Sequence, residues 1–356
     1  MYGVIMAGGK GTRFWPLSRE KLPKQYLRIA GKESLIQMAI KRLESLIPLQ
    51  NIIIVSSKSQ EKVMKEHLPH IPEENFIFEP VGKNTAPAIA LSAFYLRERD
   101  PDAVMAVFPA DHIIKNKREF LSTLRFAEKT AKKGDNLITL GIKPDSPETG
   151  FGYIHYGERF FSSGKKGVYR VKRFTEKPDL KTARRFLKTG SYLWNAGIFV
   201  WGVGTILKMF ETHLPSIHQA FYPLLNAKTS RGRKRVITKA YSQVKEISVD
   251  YGIMEKAKKV LVIPCDIGWN DVGSWSSLKE VLPHDRSKNI IIGKHVGLNT
   301  KDMIIYSPDK LVTTIGLDNL IVVETPDTLL ICPKDRAQDV KKLTELLSKK
   351  GKKRYL

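Results

Sequence analysis

The segment that opens the chain has residue types suited to binding phosphate groups. Residues 8–13 read Gly-Gly-Lys-Gly-Thr-Arg and directly follow a short apolar run at residues 4–7. Glycines let backbone N–H groups approach phosphate oxygens, and they tolerate positive φ angles. Arg13, Arg19 and Lys24 then supply the several positive donors that a triphosphate needs. We predict a phosphate-binding loop here. An ordinary glycine turn is the structural alternative, because the spacing is neither the dinucleotide pattern nor a P-loop.

An aspartate at the end of another apolar run is a candidate metal ligand. Asp111 follows residues 103–108, which have the composition of a buried strand. A carboxylate at the carboxyl end of such a strand, close to a triphosphate, is a suitable ligand for Mg²⁺. Capping of the following turn is the structural alternative for this side chain.

Alternating strands and helices in the first half of the chain must position these residues. Apolar runs predict strands, and amphipathic periodicity predicts helices, the first of them capped by Ser34. The strands are expected at residues 4–7, 52–55, 103–108 and 137–141, and the helices at residues 35–47, 86–95 and 119–131. This alternation indicates an α/β fold, a Rossmann-like and mostly parallel sheet with helices on both faces. Ligands of such sheets bind beyond the carboxyl ends of the strands.

The pattern of apolar residues changes near residue 289. Short apolar runs separated by turn residues predict a small all-β module, and residues 336–347 predict a terminal helix. We therefore expect one domain at residues 1–283 and a second at residues 284–356. The dense basic tail at residues 349–354 is interpreted as a frayed end.

The amino-acid composition indicates which classes of binding partner suit this protein. The 356 residues include 60 Lys+Arg and 36 Asp+Glu, a net charge of +24, which favours phosphate-rich or other polyanionic partners. Cationic side chains on solvated helix faces also explain much of this excess. We expect no nucleic-acid partner, because basic and aromatic residues are not interleaved, and no membrane association, because no apolar run is long enough. Two distant cysteines and no signal pattern favour the cytoplasm.

The spacing of the opening motif identifies a family. Gly-Gly-x-Gly-Thr-Arg-x-x-Pro-Leu at residues 8–17, with Pro23 and Lys24, resembles the signature of the nucleotidyl-diphospho-sugar pyrophosphorylases. The longer form, with Arg19 and Gln25, is similar to the mannose-1-phosphate guanylyltransferase branch. The resemblance implies that Arg13 and Lys24 are catalytic and stabilise charge during transfer. It also implies that the loop wraps the nucleotide phosphates through Gly8, Gly9, Gly11 and Thr12. The sequence departs from the usual pattern in having Lys10, which adds a charge close to the phosphates, and Phe14.

Further motifs follow in the order found in this branch. Residues 79–88 match its nucleotide-base loop, in which Glu79 is a candidate acceptor for the N–H donors of guanine; an ordinary helix cap is the alternative. Asp271 is implied to be the second Mg²⁺ ligand, sharing the ion with Asp111. The resemblance implies nucleotide binding by Glu79, Asn84 and Thr85, and sugar-phosphate binding by Gly150, Tyr153, Glu176, Lys177, Asn195 and Asp250.

The resemblance implies a reaction and its participants. An enzyme of this branch transfers GMP from GTP to mannose 1-phosphate with Mg²⁺, forming GDP-mannose and pyrophosphate by in-line attack on the α-phosphorus. The alternatives are another base or hexose 1-phosphate, or a non-catalytic GDP-sugar-binding regulatory subunit. The C-terminal module resembles the family's left-handed β-helix-like appendage. Some relatives continue into a cupin isomerase domain, which is not expected here. We also expect a homodimer.

Overall fold

The fold is described by a computed structural model that covers residues 1–9, 11–164 and 166–356. The prediction of an additional charge at Lys10 falls outside these residues. The strands are β1 Tyr2–Met6, β2 Ile52–Ser57, β3 Phe76–Glu79, β4 Val104–Pro109, β5 Ile113–Ile114, β6 Leu137–Ile142, β7 Tyr153–Ser163, β8 Lys166–Thr175, β9 Tyr192–Gly202, β10 Val260–Pro264, β11 Trp269–Asn270, β12 Ile290–Leu298, β13 Ile304–Ile315, β14 Leu320–Thr325 and β15 Thr328–Pro333. The α-helices are α1 Leu35–Leu43, α2 Glu61–His67, α3 Thr85–Arg99, α4 Lys117–Ala131, α5 Leu180–Thr189, α6 Val203–His213, α7 Pro215–Phe221, α8 Ser230–Gln243, α9 Leu278–Val281 and α10 Val340–Lys349.

Local sequence chemistry accounts for where several helices begin. Ser34 and Gln37 form a reciprocal capping box at the start of α1, which confirms the cap predicted there. The side chains of Asn116 and Asp179 accept hydrogen bonds from the first turns of α4 and α5. The last helix starts later than predicted, because residues 334–339 form a 3₁₀ segment before α10.

A large mixed sheet forms the centre of the molecule. Within the described residues nine strands follow the order β3-β2-β1-β4-β9-β6-β10-β8-β7. The predicted strands β1, β2 and β4 are parallel neighbours, and β6 is parallel to β10, which confirms the α/β prediction. The long strands β7, β8 and β9 are antiparallel insertions. Two apolar clusters cover the two faces of this sheet, so β2 is buried along almost its whole length.

The C-terminal strands form a separate small sheet. β12, β13 and β14 stack in parallel, and β15 closes the sheet by antiparallel pairing with β14. One buried cluster joins this module to the opening segment, since Phe14, Trp15 and Trp275 share it with Ile304 and Val323. The domain division at residues 283/284 stays a prediction, and the two parts share a core.

The basic tail is ordered rather than frayed. Residues Lys353–Tyr355 form a 3₁₀ turn, and the backbone carbonyl of Tyr355 accepts a 2.7 Å hydrogen bond from the indole N–H of Trp15. The prediction of a frayed end is therefore wrong. Among the helices of the described residues, none combines the length and the hydropathy needed to cross a bilayer.

Candidate functional site

Lys24 connects the two aspartates that the sequence singled out. Its Nζ donates a 2.8 Å hydrogen bond to Asp111 Oδ2 and another of 2.8 Å to the backbone carbonyl of Asp271. The lysine side chain is 7% exposed, whereas that of Asp111 is half-buried, at 33% exposed. The fold therefore brings the Asp111 carboxylate and the backbone of Asp271 to one buried cation.

A short ladder brings the two aspartate loops together. β5, which follows Asp111, pairs antiparallel with β11, which precedes Asp271. The indole N–H of Trp269 donates a 3.1 Å hydrogen bond to Nδ1 of His112, which reinforces the contact. Burial lowers the pKa of His112, although the negative charges of Asp111 and Asp271 both act to raise it. His112 is therefore uncharged, and its Nδ1 accepts the hydrogen bond from Trp269. This bond gives His112 a structural role, in which it does not act as a base.

The ionisation state of Asp111 suits a metal ligand. Burial raises the pKa of this carboxyl, but the positive charge of Lys24 and its hydrogen bond lead the effects that outweigh burial and hold the pKa below its usual range. Asp271 is oriented by the backbone N–H of Gly273, which donates to its Oδ1 at 3.0 Å. Both carboxylates are thereby fixed by neighbouring groups.

The number of carboxylates indicates which metals the site fits. In the part of the chain that the structure describes, no group of three or more His, Cys, Asp or Glu side chains converges in the manner of a closed metal site. Two carboxylates do not satisfy structural zinc, which takes four protein ligands. They do fit Mg²⁺, which binds one or two carboxylates and completes its octahedron with phosphates and water.

The glycine loop lies against Lys24. Gly11 has φ 61°, and a Cβ atom at this position would stand 2.1 Å from Lys24 Cβ, so no other residue fits without displacing the lysine. A Cβ at Gly9 would meet no described atom within 4 Å, and one at Gly8 would approach only Glu79 Oε2, at 3.6 Å. Gly8 and Gly9 are nevertheless both exposed, and of the two only Gly9 has a Cβ position free of described atoms. Thr12 begins the 3₁₀ turn that ends the loop.

The two arginines that follow the loop have different environments. Arg13 is exposed at the end of the loop, and among the described residues no ion pair or hydrogen bond engages its guanidinium. Arg19 instead forms an ion pair with Asp327 of the C-terminal module, with a 2.8 Å N–O distance. The prediction that Arg19 is one of the phosphate-binding cations is therefore wrong, because its guanidinium binds the C-terminal module.

Glu79 is a buried acid behind the glycine loop. It is 4% exposed, and its Oε1 accepts a 2.7 Å hydrogen bond from the hydroxyl of Tyr241. Burial raises its pKa to about 7, although the Tyr241 hydrogen bond opposes this effect. Its other oxygen, Oε2, is the one near Gly8. Glu79 thus has one oxygen held by α8 and one directed toward the loop.

Asn84 and Thr85 connect the predicted base loop to the segment that carries Asp250. Asn84 has φ 66°, and its Oδ1 accepts a 2.9 Å hydrogen bond from the backbone N–H of Thr85. The Thr85 hydroxyl accepts from the backbone N–H of Val249 at 2.9 Å. The Asn84 side chain caps α3, whereas the Thr85 hydroxyl couples this loop to the segment that carries Asp250.

The residues predicted to bind the sugar phosphate form one cluster. Asn195 Nδ2 donates a 2.9 Å hydrogen bond to Asp250 Oδ1, and Lys177 Nζ lies 3.1 Å from Glu176 Oε1. Burial and the charge of Glu176 raise the pKa of Asp250 to about 7, and burial also raises the pKa of Glu176. Lys177 is 57% exposed and has φ 47°. Two acidic groups and one accessible cation thus lie in one cluster.

The turn at residues 150–153 contributes backbone more than side chains. A Cβ at Gly150 would meet no described atom within 4 Å, whereas one at Gly152 would stand 2.5 Å from Glu176 Oε2. Tyr153 is fully buried, packs on Phe186 at 5.5 Å between ring centroids, and supports the pocket from behind.

Several supporting residues escaped the sequence reasoning. Thr139, which donates a 2.9 Å hydrogen bond to Asn195 Oδ1, is a polar residue within an apolar strand, whereas Tyr241, which holds Glu79, lies in the largely polar helix α8. Gln25 Nε2 donates to the Ala7 carbonyl at 2.7 Å and so fixes the end of β1. For Thr139, a polar residue inside an otherwise apolar run was the available signal, because such residues are buried only with a partner.

Two family models cover most of the chain. Residues 2–288 match a model described as Nucleotidyl transferase, and residues 293–347 match one described as MannoseP isomerase/GMP-like beta-helix domain. The second match agrees with the parallel stacking of β12, β13 and β14 and confirms the β-helix-like module.

Individual relatives cover almost the whole chain. It is 38% identical over 357 residues to a mannose-1-phosphate guanylyltransferase of Escherichia coli, covering 99% of this chain and 76% of that protein. It is 37% identical over 355 residues to the alginate biosynthesis protein AlgA of Pseudomonas syringae pv. tomato, covering 99% and 73%. A crystal structure of a protein named mannose-1-phosphate geranyltransferase, from Thermus thermophilus, matches with a TM-score of 0.88 and 33% identity, covering 98% of this chain and 99% of that one.

Proposed function

Because the chain belongs to the mannose-1-phosphate guanylyltransferase family of nucleotidyl transferases, we propose that it transfers GMP from GTP to mannose 1-phosphate, forming GDP-mannose and pyrophosphate. The observation that carries the proposal is the position of Lys24, which contacts both Asp111 and the Asp271 backbone beside the glycine loop. A cation, two carboxylates and open backbone amides at one point are what a metal-bound triphosphate requires.

The glycine loop is the proposed site for the nucleotide phosphates. Backbone N–H groups near Gly8 and Gly9 border open space, and the exposed Arg13 extends from the loop's end. Guanine presents N–H donors, for which Glu79 Oε2 is an acceptor directed toward the loop. The hydrogen bond between Thr85 and Val249, next to Asp250, supports a nucleotide pocket continuous with the acceptor pocket.

The acceptor pocket is the proposed site for mannose 1-phosphate. Lys177 is an exposed cation suited to a phosphate, whereas Glu176, Asn195 and Asp250 supply polar groups suited to sugar hydroxyls. The bond between Asn195 and Asp250 fixes both side chains, which favours recognition of one hydroxyl arrangement.

The reaction is proposed to be a direct displacement. A phosphate oxygen of mannose 1-phosphate forms a bond to the α-phosphorus of GTP as the bond to the β-phosphate oxygen breaks, and pyrophosphate carries away the electron pair. The nucleophile is already an anion, so no general base is required. Arg13, Lys24 and Lys177 offset the charge of two polyanions and orient them. Asp111 and Asp271 would hold Mg²⁺, which when bound would neutralise charge at the phosphates.

The assembly and the location of the protein are part of the proposal. We propose a homodimer in the cytoplasm, with residues 1–283 as the catalytic domain and residues 284–356 as the module that supports it. Gel filtration with light scattering tests the dimer, and a monomer at micromolar concentration contradicts it.

A substrate panel tests the proposed reaction. Each nucleoside triphosphate is combined with mannose, glucose and galactose 1-phosphates, and pyrophosphate release is measured with Mg²⁺. We expect the highest kcat/KM for GTP with mannose 1-phosphate. Preference for another base or sugar supports the first alternative, and GDP-mannose binding without turnover supports the regulatory subunit.

A further inference from the structure

Arg19 fastens the signature segment to the C-terminal module. Its Nε donates a 2.5 Å hydrogen bond to the Pro16 carbonyl, and its Nη1 donates to the Tyr355 carbonyl. Its Nη2 donates to Asp327 Oδ1 at 2.8 Å and to the Thr328 hydroxyl at 3.3 Å. All three nitrogens of the guanidinium therefore donate hydrogen bonds, one within the segment and the others to the module.

The neighbouring tryptophans extend this contact. Trp15 Nε1 donates to the same Tyr355 carbonyl at 2.7 Å, and Trp275 Nε1 donates to the Trp15 carbonyl at 3.2 Å. The Arg19 guanidinium also lies 5.8 Å from the centre of the Trp15 ring. A segment held by two hydrogen-bonded indoles and an arginine has little freedom to shift.

The contact leads directly to the proposed catalytic lysine. Phe14 is fully buried between Trp275, at 5.1 Å between ring centroids, and Lys24, whose Nζ lies 5.8 Å from the Phe14 ring. Lys24 Nζ in turn contacts Asp111. A continuous chain of packed and hydrogen-bonded groups therefore runs from the C-terminal module through Arg19, Trp15 and Phe14 to Lys24.

The exposure and the bonding partners of Arg19 indicate a positioning role. The Arg19 side chain is 16% exposed and that of Asp327 is 48% exposed, so water partly screens the ion pair, and the contact depends on the whole set of Arg19 hydrogen bonds rather than on this pair alone. Burial raises the pKa of Asp327, but a Thr325 hydrogen bond and the charge of Arg19 outweigh it and lower the pKa. The fork geometry of arginine serves several acceptors at once, which lysine does not reproduce.

We propose that Arg19 is a positioning residue through which the C-terminal module sets Lys24 and the glycine loop for nucleotide binding. The inference rests on the proposed function in assigning GTP to the loop. It assigns the module a part in building the nucleotide site, in addition to its own packing. The acceptor pocket at Asn195 and Asp250 lies outside this chain of contacts and should be affected least.

The test compares Arg19→Ala, Arg19→Lys, Asp327→Ala and the Arg19→Ala/Asp327→Ala double variant in the full chain. Arg336→Ala is the matched control, because Arg336 pairs with Asp339 at 2.9 Å inside the module.

For Arg19→Ala we expect kcat/KM for GTP to fall about 10- to 100-fold, since a misplacement near 1 Å costs up to about 10²-fold. The KM for mannose 1-phosphate should stay within about twofold, and the double variant should be little worse than Arg19→Ala, because the two residues are coupled. Arg19→Lys should recover part of the loss.

A GTP-binding measurement separates this inference from the proposed function. Calorimetric titration with GTP and Mg²⁺ should show weaker binding for Arg19→Ala than for Arg336→Ala, whether or not GDP-mannose is formed. Equal GTP affinity and equal kcat/KM in these two variants overturn the positioning role. A parallel loss for both substrates with a lower melting temperature also overturns it, because that result indicates general destabilisation. If Arg19→Ala does not fold, Asp327→Ala is judged by the same comparisons.

Discussion

A Cβ atom at Gly11 would stand 2.1 Å from the Cβ of Lys24, so the glycine loop and the lysine that bonds to Asp111 are in direct contact. The loop therefore has two tasks: it leaves backbone amides open at Gly8 and Gly9, and it makes room for Lys24. Any change of shape at Gly11 is transmitted to the carboxylate beside the proposed metal.

The first prediction concerns this contact. Gly11→Ala should lower kcat by about 10²-fold, because the new methyl group displaces Lys24 and the φ of 61° is unfavourable for alanine. Gly204→Ala is the control, since Gly204 lies in α6 and the nearest atom to its Cβ would be 3.9 Å away. Steady-state kinetics with GTP and mannose 1-phosphate give the comparison. Equal kcat values for the two variants contradict a close fit between loop and lysine.

The second prediction concerns the metal. Asp111→Asn and Asp271→Asn should each raise the Mg²⁺ concentration needed for half-maximal activity and lower kcat, because each removes one of two carboxylates. EDTA should abolish wild-type activity, and added Mg²⁺ should restore it. Asp318→Asn is the control, because this exposed residue lies in the C-terminal module. Full activity of either variant at ordinary Mg²⁺ refutes the metal role.

The third prediction separates the two substrates. Lys177→Ala should raise the KM for mannose 1-phosphate about 10-fold or more and leave the KM for GTP within about twofold, because a lost charged hydrogen bond costs about 1.5–3 kcal/mol. The exposed Lys181 on α5 provides the control substitution Lys181→Ala. A larger change in the KM for GTP argues that Lys177 belongs to the nucleotide site.

The fourth prediction concerns stability and pH. The pKa of Glu79 rises from its ordinary value of 4.5 to about 7 in the folded protein. The folded state therefore binds the proton more tightly, so the stability from this group is complete below pH 4.5 and is lost as the pH rises through 7. Between pH 5 and pH 8, Glu79→Gln should gain up to roughly 3 kcal/mol relative to the wild type in the free energy of unfolding.

Urea denaturation at several pH values measures this difference. Asp250, whose pKa is also raised to about 7, titrates in the same range but is present in both proteins. Its contribution therefore cancels in the comparison. Parallel stability curves for the two proteins contradict a raised pKa at Glu79.

Local sequence determined much of this protein. Apolar runs and turn residues indicated the parallel strands, Ser34 indicated the start of α1, and the spacing of residues 8–24 indicated the family. These features depend on hydrophobic periodicity, capping and glycine geometry, which act over a few residues. The sequence alone therefore predicts the types of side chain that bind phosphate and metal.

Only the tertiary structure decided how those side chains are used. Lys24 meets Asp111 across 87 positions and the Asp271 carbonyl across 247, Tyr241 holds Glu79 across 162, and Arg19 reaches Tyr355 across 336. Such contacts depend on where the packed layers bring distant segments together, and no local propensity encodes that. For this reason Arg13 and Arg19, alike in type and close in sequence, face different partners: open space beside the loop for one, and the C-terminal module for the other.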